Sequence, residues 1–209
     1  MTEPRFLKLG KNMSRFEQFR KMLTEMPFVG PEDKMDSNKL SIMSIMSLKR
    51  EWKLFWKNEN FQIYKRDTTF IAGKLRNNEF VIYSELATSV PSKHAPTFIK
   101  NSLQVDMVDT VEEFQSQGYA KQLYKQIIKK YTLISDTEQY KASKNLWKSI
   151  AREPDVFVYI WNDSNNSFIL DDQQKPKRYN GINIIEEEIF GSQDKHYKIV
   201  LVSTNKERN

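Results

Sequence analysis

Apolar residues first recur at helical spacing in Met13–Met26, where Phe16, Phe19, Leu23 and Met26 fall on one face. Ser14 with Glu17 makes a capping box for that helix, and Pro27 followed by Gly30-Pro31 ends it. The polar run Gly30–Lys39 predicts a loop. From Leu40 to Leu86 the pattern changes to β-formers. Trp52, Leu54, Trp56, Phe61, Ile63 and Tyr64 are followed by the runs Thr69–Leu75 and Glu79–Leu86. The link Arg76-Asn77-Asn78 has the chemistry of a tight hairpin, so this stretch predicts an antiparallel meander. Ser89–Pro96, with two prolines and His94, interrupts it.

The second half alternates. Ser102–Val111 predicts a strand, with Leu103, Val105 and Met107 at period two. A loop, Glu112–Gln117, leads to a helix over Gly118–Lys130, on which Leu123, Ile127 and Tyr131 share a face with Ala120 and Tyr124. A short strand at Tyr131–Ser135 precedes a helix at Thr137–Arg152, capped by Asp136 with Gln139 three residues on. Leu146, Trp147, Ile150 and Ala151 form that helix's buried side. Val156–Trp161 predicts a strong strand. A polar excursion, Asn162–Asn180, precedes strands at Ile182–Phe190 and Tyr197–Ser203. This order predicts an α/β fold in which a mixed sheet carries helices on its faces.

Composition narrows the function. The 209 residues are 39% hydrophobic and 29% charged, as in a globular chain, and one domain with an N-terminal helical segment is the expectation for that length. There is no cysteine, which excludes disulfides, thiolate metal sites and cysteine nucleophiles and fits a cytoplasmic protein. No apolar run reaches the roughly 18 residues of a membrane span. The net charge of +6 suits a solubilising surface, or an anionic partner such as nucleic acid, an acidic protein or an anionic cofactor. No block of five basic residues marks a nucleic-acid tail. The aromatics of Trp52–Tyr64 alternate with lysine and arginine, a pattern that could stack single-stranded bases but is first of all that of a half-buried strand, with the aromatics in the core. His94 and His196 lie far apart, without acidic neighbours at ligand spacing, so no metal site is expected.

The sharpest local feature is Gln115-Ser116-Gln117-Gly118-Tyr119-Ala120, at a predicted strand-to-helix junction. The first amides of a helix lack internal partners and the helix dipole adds positive character, so such a turn can hold a pyrophosphate through main-chain donors. A glycine there leaves the backbone open to close approach.

The Gln-x-x-Gly-x-Ala pattern resembles the signature of the GNAT superfamily of acetyl-CoA-dependent N-acyltransferases. With Leu123-Tyr124, Leu133-Ile134-Ser135-Asp136 and Leu146-Trp147 it is similar to phage and bacterial members, over about Ser102–Trp161. The resemblance implies a central, mostly antiparallel mixed sheet splayed at a cofactor cleft. It implies acetyl-CoA as co-substrate, with its pantetheine arm along the end of the Ser102–Val111 strand at Val111. The pyrophosphate would lie on Gln115, Ser116, Gln117, Gly118, Tyr119 and Ala120. The acceptor would be an amine on a protein, a nucleic acid or a small molecule. For the base the resemblance points to a carboxylate near the strand's end, Glu112 foremost, with Glu113 and Asp109 beside it. Many members use a tyrosine as acid on the helix after the short strand. Trp147 falls at that position here, leaving Tyr140 and Tyr119 as substitutes. The departure opens a second reading, a GNAT-like scaffold that binds a host protein or nucleic acid without catalysis.

Overall fold

The computed structural model describes residues 42–91, 95–96, 98–136, 141–184, 189 and 199–207. The chain divides into two compact units at Lys39/Leu40. The first unit, with the expected helix Met13–Met26, lies outside the described residues, as do His94, His196, Tyr140 and the start of the helix expected to be capped by Asp136.

The second unit runs β1 (Ile42–Ser44), α1 (Ile45–Glu51), β2 (Lys53–Lys57), β3 (Gln62–Arg66), β4 (Thr69–Arg76), β5 (Glu79–Ser89), β6 (Ser102–Thr110), a 3-10 turn (Glu112–Phe114), α2 (Tyr119–Ile128), β7 (Thr132–Ile134), α3 (Lys141–Ala151), β8 (Phe157–Asn162), β9 (Ser167–Phe168), β10 (Arg178–Tyr179) and β11 (Ile199–Thr204). All described strands join one sheet in the order β10-β8-β11-β7-β6-β5-β4-β3-β2, with β1 on β5 and β9 on β8. Every strand pair is antiparallel except β6 with β7. The mixed α/β architecture expected from the alternation is therefore present.

The hairpin expected at Arg76-Asn77-Asn78 joins β4 to β5. Arg76 pairs with Glu79, and Asn77 and Asn78 both adopt positive φ, the two-residue turn whose twist matches paired strands. Two expectations need correction. The stretch Leu40–Leu86 is not β throughout, because Ser44 caps a short helix, α1, by accepting from the Ser47 amide. The expected strand Ile182–Phe190 is absent where it is described. Residues 181–184 are bends, with the side chain of Asn180 accepting from the amides of Ile182 and Asn183, and Ile189 is helical.

The main core lies between one sheet face and α2 and α3. Leu123, Tyr124, Ile127, Trp147, Ile150 and Ala151 pack there on Phe70, Leu86, Leu103 and Leu133. The helical spacing read from the sequence is thus the buried stripe of each helix. On the other face, α1 presses Leu48 and neighbouring Trp52 onto Ile71, Phe80 and Ile82.

The β6–β7 pairing ends almost as soon as it begins, at Ser102↔Thr132, Leu103↔Leu133 and Gln104↔Ile134. β7 turns to β11 instead. Ile134 and Leu133 pair with Val202 and Ser203, and the Ser203 hydroxyl donates to the Leu133 carbonyl at 3.1 Å. Fully buried Ser135 exchanges two bonds with Leu201. Its amide donates to the Leu201 carbonyl at 2.8 Å, and its hydroxyl accepts from the Leu201 amide at 2.9 Å. Beyond Gln104, β6 has no strand partner on its β7 side among the described residues.

Replacing Ser135 with alanine leaves the buried Leu201 amide without its acceptor, at a cost of about 1–3 kcal/mol. Urea unfolding of Ser135→Ala should show a lower midpoint with an unchanged slope. A midpoint equal to the parent's would mean that this bond does not hold β7 to β11.

Candidate functional site

The open end of β6 leads directly into the turn singled out in the sequence. Val111 closes β6 by donating its amide to the Tyr83 carbonyl at 3.1 Å. The expected loop Glu112–Gln117 is instead tightened at its start. The Phe114 amide donates to the Val111 carbonyl, and the Gln115 amide to the Glu112 carbonyl, which makes a 3-10 turn. Ser116 and Gly118 then take positive φ, +60° and +82°, and α2 begins at Tyr119. Residues 115–118 form a turn, and among the described residues none of the amides of Ser116, Gln117, Gly118, Tyr119 and Ala120 makes a well-aligned hydrogen bond to a carbonyl, whereas the Gln122 amide reaches the Gly118 carbonyl at 3.0 Å. These free donors sit at a helix N-terminus, where the dipole favours an anion. A Cβ at Gly118 would meet nothing within 4 Å, so the space over the turn is open. Gly118 thus stands between β6 and α2, after the 3-10 turn, at the strand-to-helix junction where the sequence places it.

Side chains brace the cradle from below. The Gln115 amide group donates to the Thr110 carbonyl at 3.1 Å, and that of Gln117 to the Glu113 carbonyl at 2.8 Å. Buried Phe114 packs 4.3 Å from the Tyr83 ring, and Tyr119 lies 4.5 Å from the same ring. Tyr83 reaches them from a bulge. Ala72 pairs with Ser84 but Gly73 with Ile82, so Tyr83 is the extra residue. Gly73 permits it, because a Cβ there would sit 2.0 Å from the Val81 carbonyl oxygen. The ring of Tyr119, a sequence candidate for the acid, is thus packed into an aromatic platform that also includes Phe61. Trp147 is buried edge-on to Tyr124 at 5.7 Å. The Tyr124 hydroxyl has no hydrogen-bond partner, and burial pushes it above the ordinary tyrosine range.

Carboxylates gather on the sheet face opposite α2 and α3. Glu85 on β5 pairs across to Asp109 on β6. Burial, and secondly the charge of Asp109, raise the Glu85 carboxyl above its ordinary range, against the pull of Arg66. A second bulge leaves Asp106 unpaired between Met107↔Ala87 and Val105↔Thr88, and Ser89 donates its hydroxyl to the Asp106 carboxylate at 2.7 Å. Burial raises Asp106 too, with the Ser89 bond opposing it and Asp136 adding to it. Glu85, Ala87 and Ser89 alternate along one face of β5, so the two raised carboxyls share a ledge beside the unpaired half of β6. Glu112 and Glu113, by contrast, are exposed on the 3-10 turn. Sequence reasoning named Asp109 but missed Glu85 and Asp106. Their signal is cross-strand register and a bulge, neither of which a single chain's spacing displays.

Among the described residues no group of three histidine, cysteine, aspartate or glutamate side chains is placed to hold a metal ion, and no helix is long and apolar enough to cross a membrane.

The fold and cradle define a mixed-sheet α/β protein with an anion-receptive helix start beside a gap in the sheet. Comparison with known proteins adds little. No family model matches the chain, and no curated protein does. Among solved structures, it is similar to the ribosomal-protein-S18-alanine N-acetyltransferase from Escherichia coli at 10% identity and a TM-score of 0.33, covering 85% of this chain and 92% of that one. A superposition that loose carries no argument about activity.

The raised Glu85 carboxyl has a stability consequence. The folded chain binds this proton more tightly than the unfolded chain does. The contribution is therefore present at and below the ordinary glutamate value of 4.5 and lost as pH rises through the raised value. Glu85→Gln removes the ionisation. The variant should be more stable than the parent at pH 7, with the difference shrinking toward zero near pH 4 in urea titrations. An equal loss of stability at both pH values would contradict the buried-carboxyl assignment.

Proposed function

We propose that this chain is an N-acetyltransferase of the GNAT type, moving an acetyl group from acetyl-CoA to an acceptor amine by direct attack. The observation that carries this reading is the meeting of two features at one place: the β6–β7 pairing that stops at Gln104↔Ile134, and the free amides at Ser116–Ala120 where the same strand ends. The strand order supports it. A parallel β6–α2–β7 crossover, with β11 inserted between β7 and β8, is the connectivity expected for a GNAT-like sheet.

The residues suit the co-substrate. The amides of Ser116, Gln117, Gly118, Tyr119 and Ala120 would hold the pyrophosphate, with Gln115 and Gln117 bracing their loop through side-chain bonds. The backbone from Val105 to Thr110, unpaired on its β7 side among the described residues, would pair with an extended amide-bearing arm, as a sheet edge does with an added strand, whereas the amide of Val111, where the resemblance places that arm, already donates to the Tyr83 carbonyl. Acetyl-CoA would supply the activated acyl group. The protein's own part is to take a proton from the acceptor ammonium, and a carboxylate with a raised pKa fits that task near neutrality. Glu85, coupled to Asp109, fits it better than exposed Glu112. Tyr119 keeps a structural role under the cradle, and Tyr140 remains a candidate acid from the resemblance alone.

One observation favours a second reading, a scaffold that binds without transferring. Trp147, at the position where the resemblance places a tyrosine acid, is sealed in the core. The two readings part on release of free thiol from acetyl-CoA in the presence of amines.

Acetyl-CoA at millimolar concentration should raise the melting temperature by several degrees, since a ligand at 100 times its Kd adds about 2.7 kcal/mol. Asparagine tolerates the left-handed backbone of Gly118 while placing a side chain over the cradle. Gly118→Asn should therefore melt close to the parent without ligand and bind acetyl-CoA at least tenfold more weakly by calorimetry. An unmoved melting point for the parent sinks the proposal.

A further inference from the structure

At the end of the sheet far from the cradle, lysines arrive from five separate segments of the chain, Lys65 and Lys130 over aromatic rings on the face that carries α2 and α3, Lys100 and Lys206 beside a groove on the opposite face. Lys53 and Lys65 face each other directly across β2 and β3, a like-charged pairing that a sheet disfavours on its own account. The Lys65 ammonium donates to the Tyr131 hydroxyl at 2.9 Å, and that of Lys130 lies 4.5 Å over the Phe55 ring. The Lys129 carbonyl accepts from the Asn205 side chain at 3.1 Å, which brings the end of α2 beside Lys206. Lys206 and Lys100 then flank a groove of about 350 Å³ whose other walls are Phe98, Ile99, Thr132, Thr204 and Glu207.

Among the described residues none of these six lysines forms an ion pair. Lys121 and Lys125, nearer the cradle on α2, both pair with Glu153, and Lys125 also lies 3.4 Å from Asp155. The difference is one of position, because the same helix carries paired lysines along its length and unpaired ones at its end. Ten residues of helix put this end about 15 Å from the cradle, so a bound pyrophosphate does not account for the charge. The groove also carries an exposed aromatic. Phe98 is 63% exposed, with one side set against Trp161 at 5.5 Å and Phe168 at 6.4 Å. Those two rings hold it in place while its remaining surface faces water.

We infer that this end of the sheet is a docking surface for single-stranded nucleic acid. The lysines lie along the phosphodiester backbone, and the groove beside Phe98 takes an unstacked base. Unpaired lysines around an exposed ring and threonine hydroxyls are the combination that binds a strand without reading its sequence. An acidic peptide would use the charge but would leave Phe98 without a stacking partner. The surface stands apart from the acetyltransfer reading, and its failure would leave that reading untouched.

The test is fluorescence anisotropy of the whole chain with labelled twelve-nucleotide poly(U) and poly(dT), against a duplex of equal length and a polyglutamate competitor. Binding to a single strand should weaken with salt, with a log–log slope of about −3 for four lysine contacts. Lys100→Glu with Lys206→Glu, and separately Lys129→Glu with Lys130→Glu, should each weaken it at least tenfold. Phe98→Ala should weaken it by about five- to 150-fold while leaving the melting temperature in place. The poly(U) and poly(dT) arms distinguish RNA from DNA, and preference for either supports the surface. Failure to bind either strand, polyglutamate displacing the strand at equal charge, tighter binding to the duplex, or affinity indifferent to both lysine pairs and to Phe98 would each overturn the inference.

Discussion

One strand with two claims on it sets the geometry of this protein. β7 has only three residues, and those residues serve β6 on one side and β11 on the other. Ser135 settles the contest just past its end, because a buried hydroxyl and amide both bind Leu201 on the β11 side. Once the chain commits there, β6 runs on for six residues with no partner across the gap among the described residues. Backbone donors and acceptors on a sheet edge need water or a guest. A gap produced by strand commitment is a rigid opening, held by buried hydrogen bonds on one side and by the long β5–β6 ladder on the other.

The cradle depends on that ladder more than on its own sequence. Its platform begins at Gly73, where the absence of a side chain lets Tyr83 bulge out of β5, and Tyr83 then supports both Phe114 and Tyr119. The carbonyl of the same residue receives the Val111 amide and so fixes where β6 ends. One bulge therefore positions a turn contributed by a segment some thirty residues later. The open turn with its free amides is thus mounted on packed aromatics, which answers how an exposed, glycine-containing loop keeps its donors aligned.

Much of this architecture was legible in the sequence because it is written in local periodicity. The stripes on α2 and α3, the apolar run of β8 and the Asn77-Asn78 turn each follow from residues within one turn or hairpin of each other. The turn at Gly118 was legible for the same reason, since the glycine, its preceding strand and its following helix are contiguous. What was missed depends on register. Met107 continues the alternation of Leu103 and Val105 yet is exposed, because the bulge at Asp106 flips the pattern after Val105. Glu85 stands out only when Asp109 is set opposite it. The lysine end of the sheet was invisible for a related reason. A search for basic blocks looks along the chain, and these six residues come from β2, β3, the approach to β6, the end of α2 and the tail of β11.

The charge of +6 consequently has a structure that the bare number conceals. Glu85, Asp106 and Asp109 put negative charge beside the unpaired half of β6, while the unpaired lysines sit near the other end of α2. Were the positive charge only a solubilising coat, acids would pair with those lysines, as Glu153 and Asp155 do with Lys121 and Lys125; Glu207 lines the same groove, yet among the described residues none of the six lysines forms an ion pair. Segregation is costly in a sheet, where Lys53 and Lys65 are held face to face. A fold that keeps like charges together at one end and raised carboxyls at the other presents two different electrostatic surfaces. The acidic ledge attracts an ammonium to the gap, and the basic end repels it.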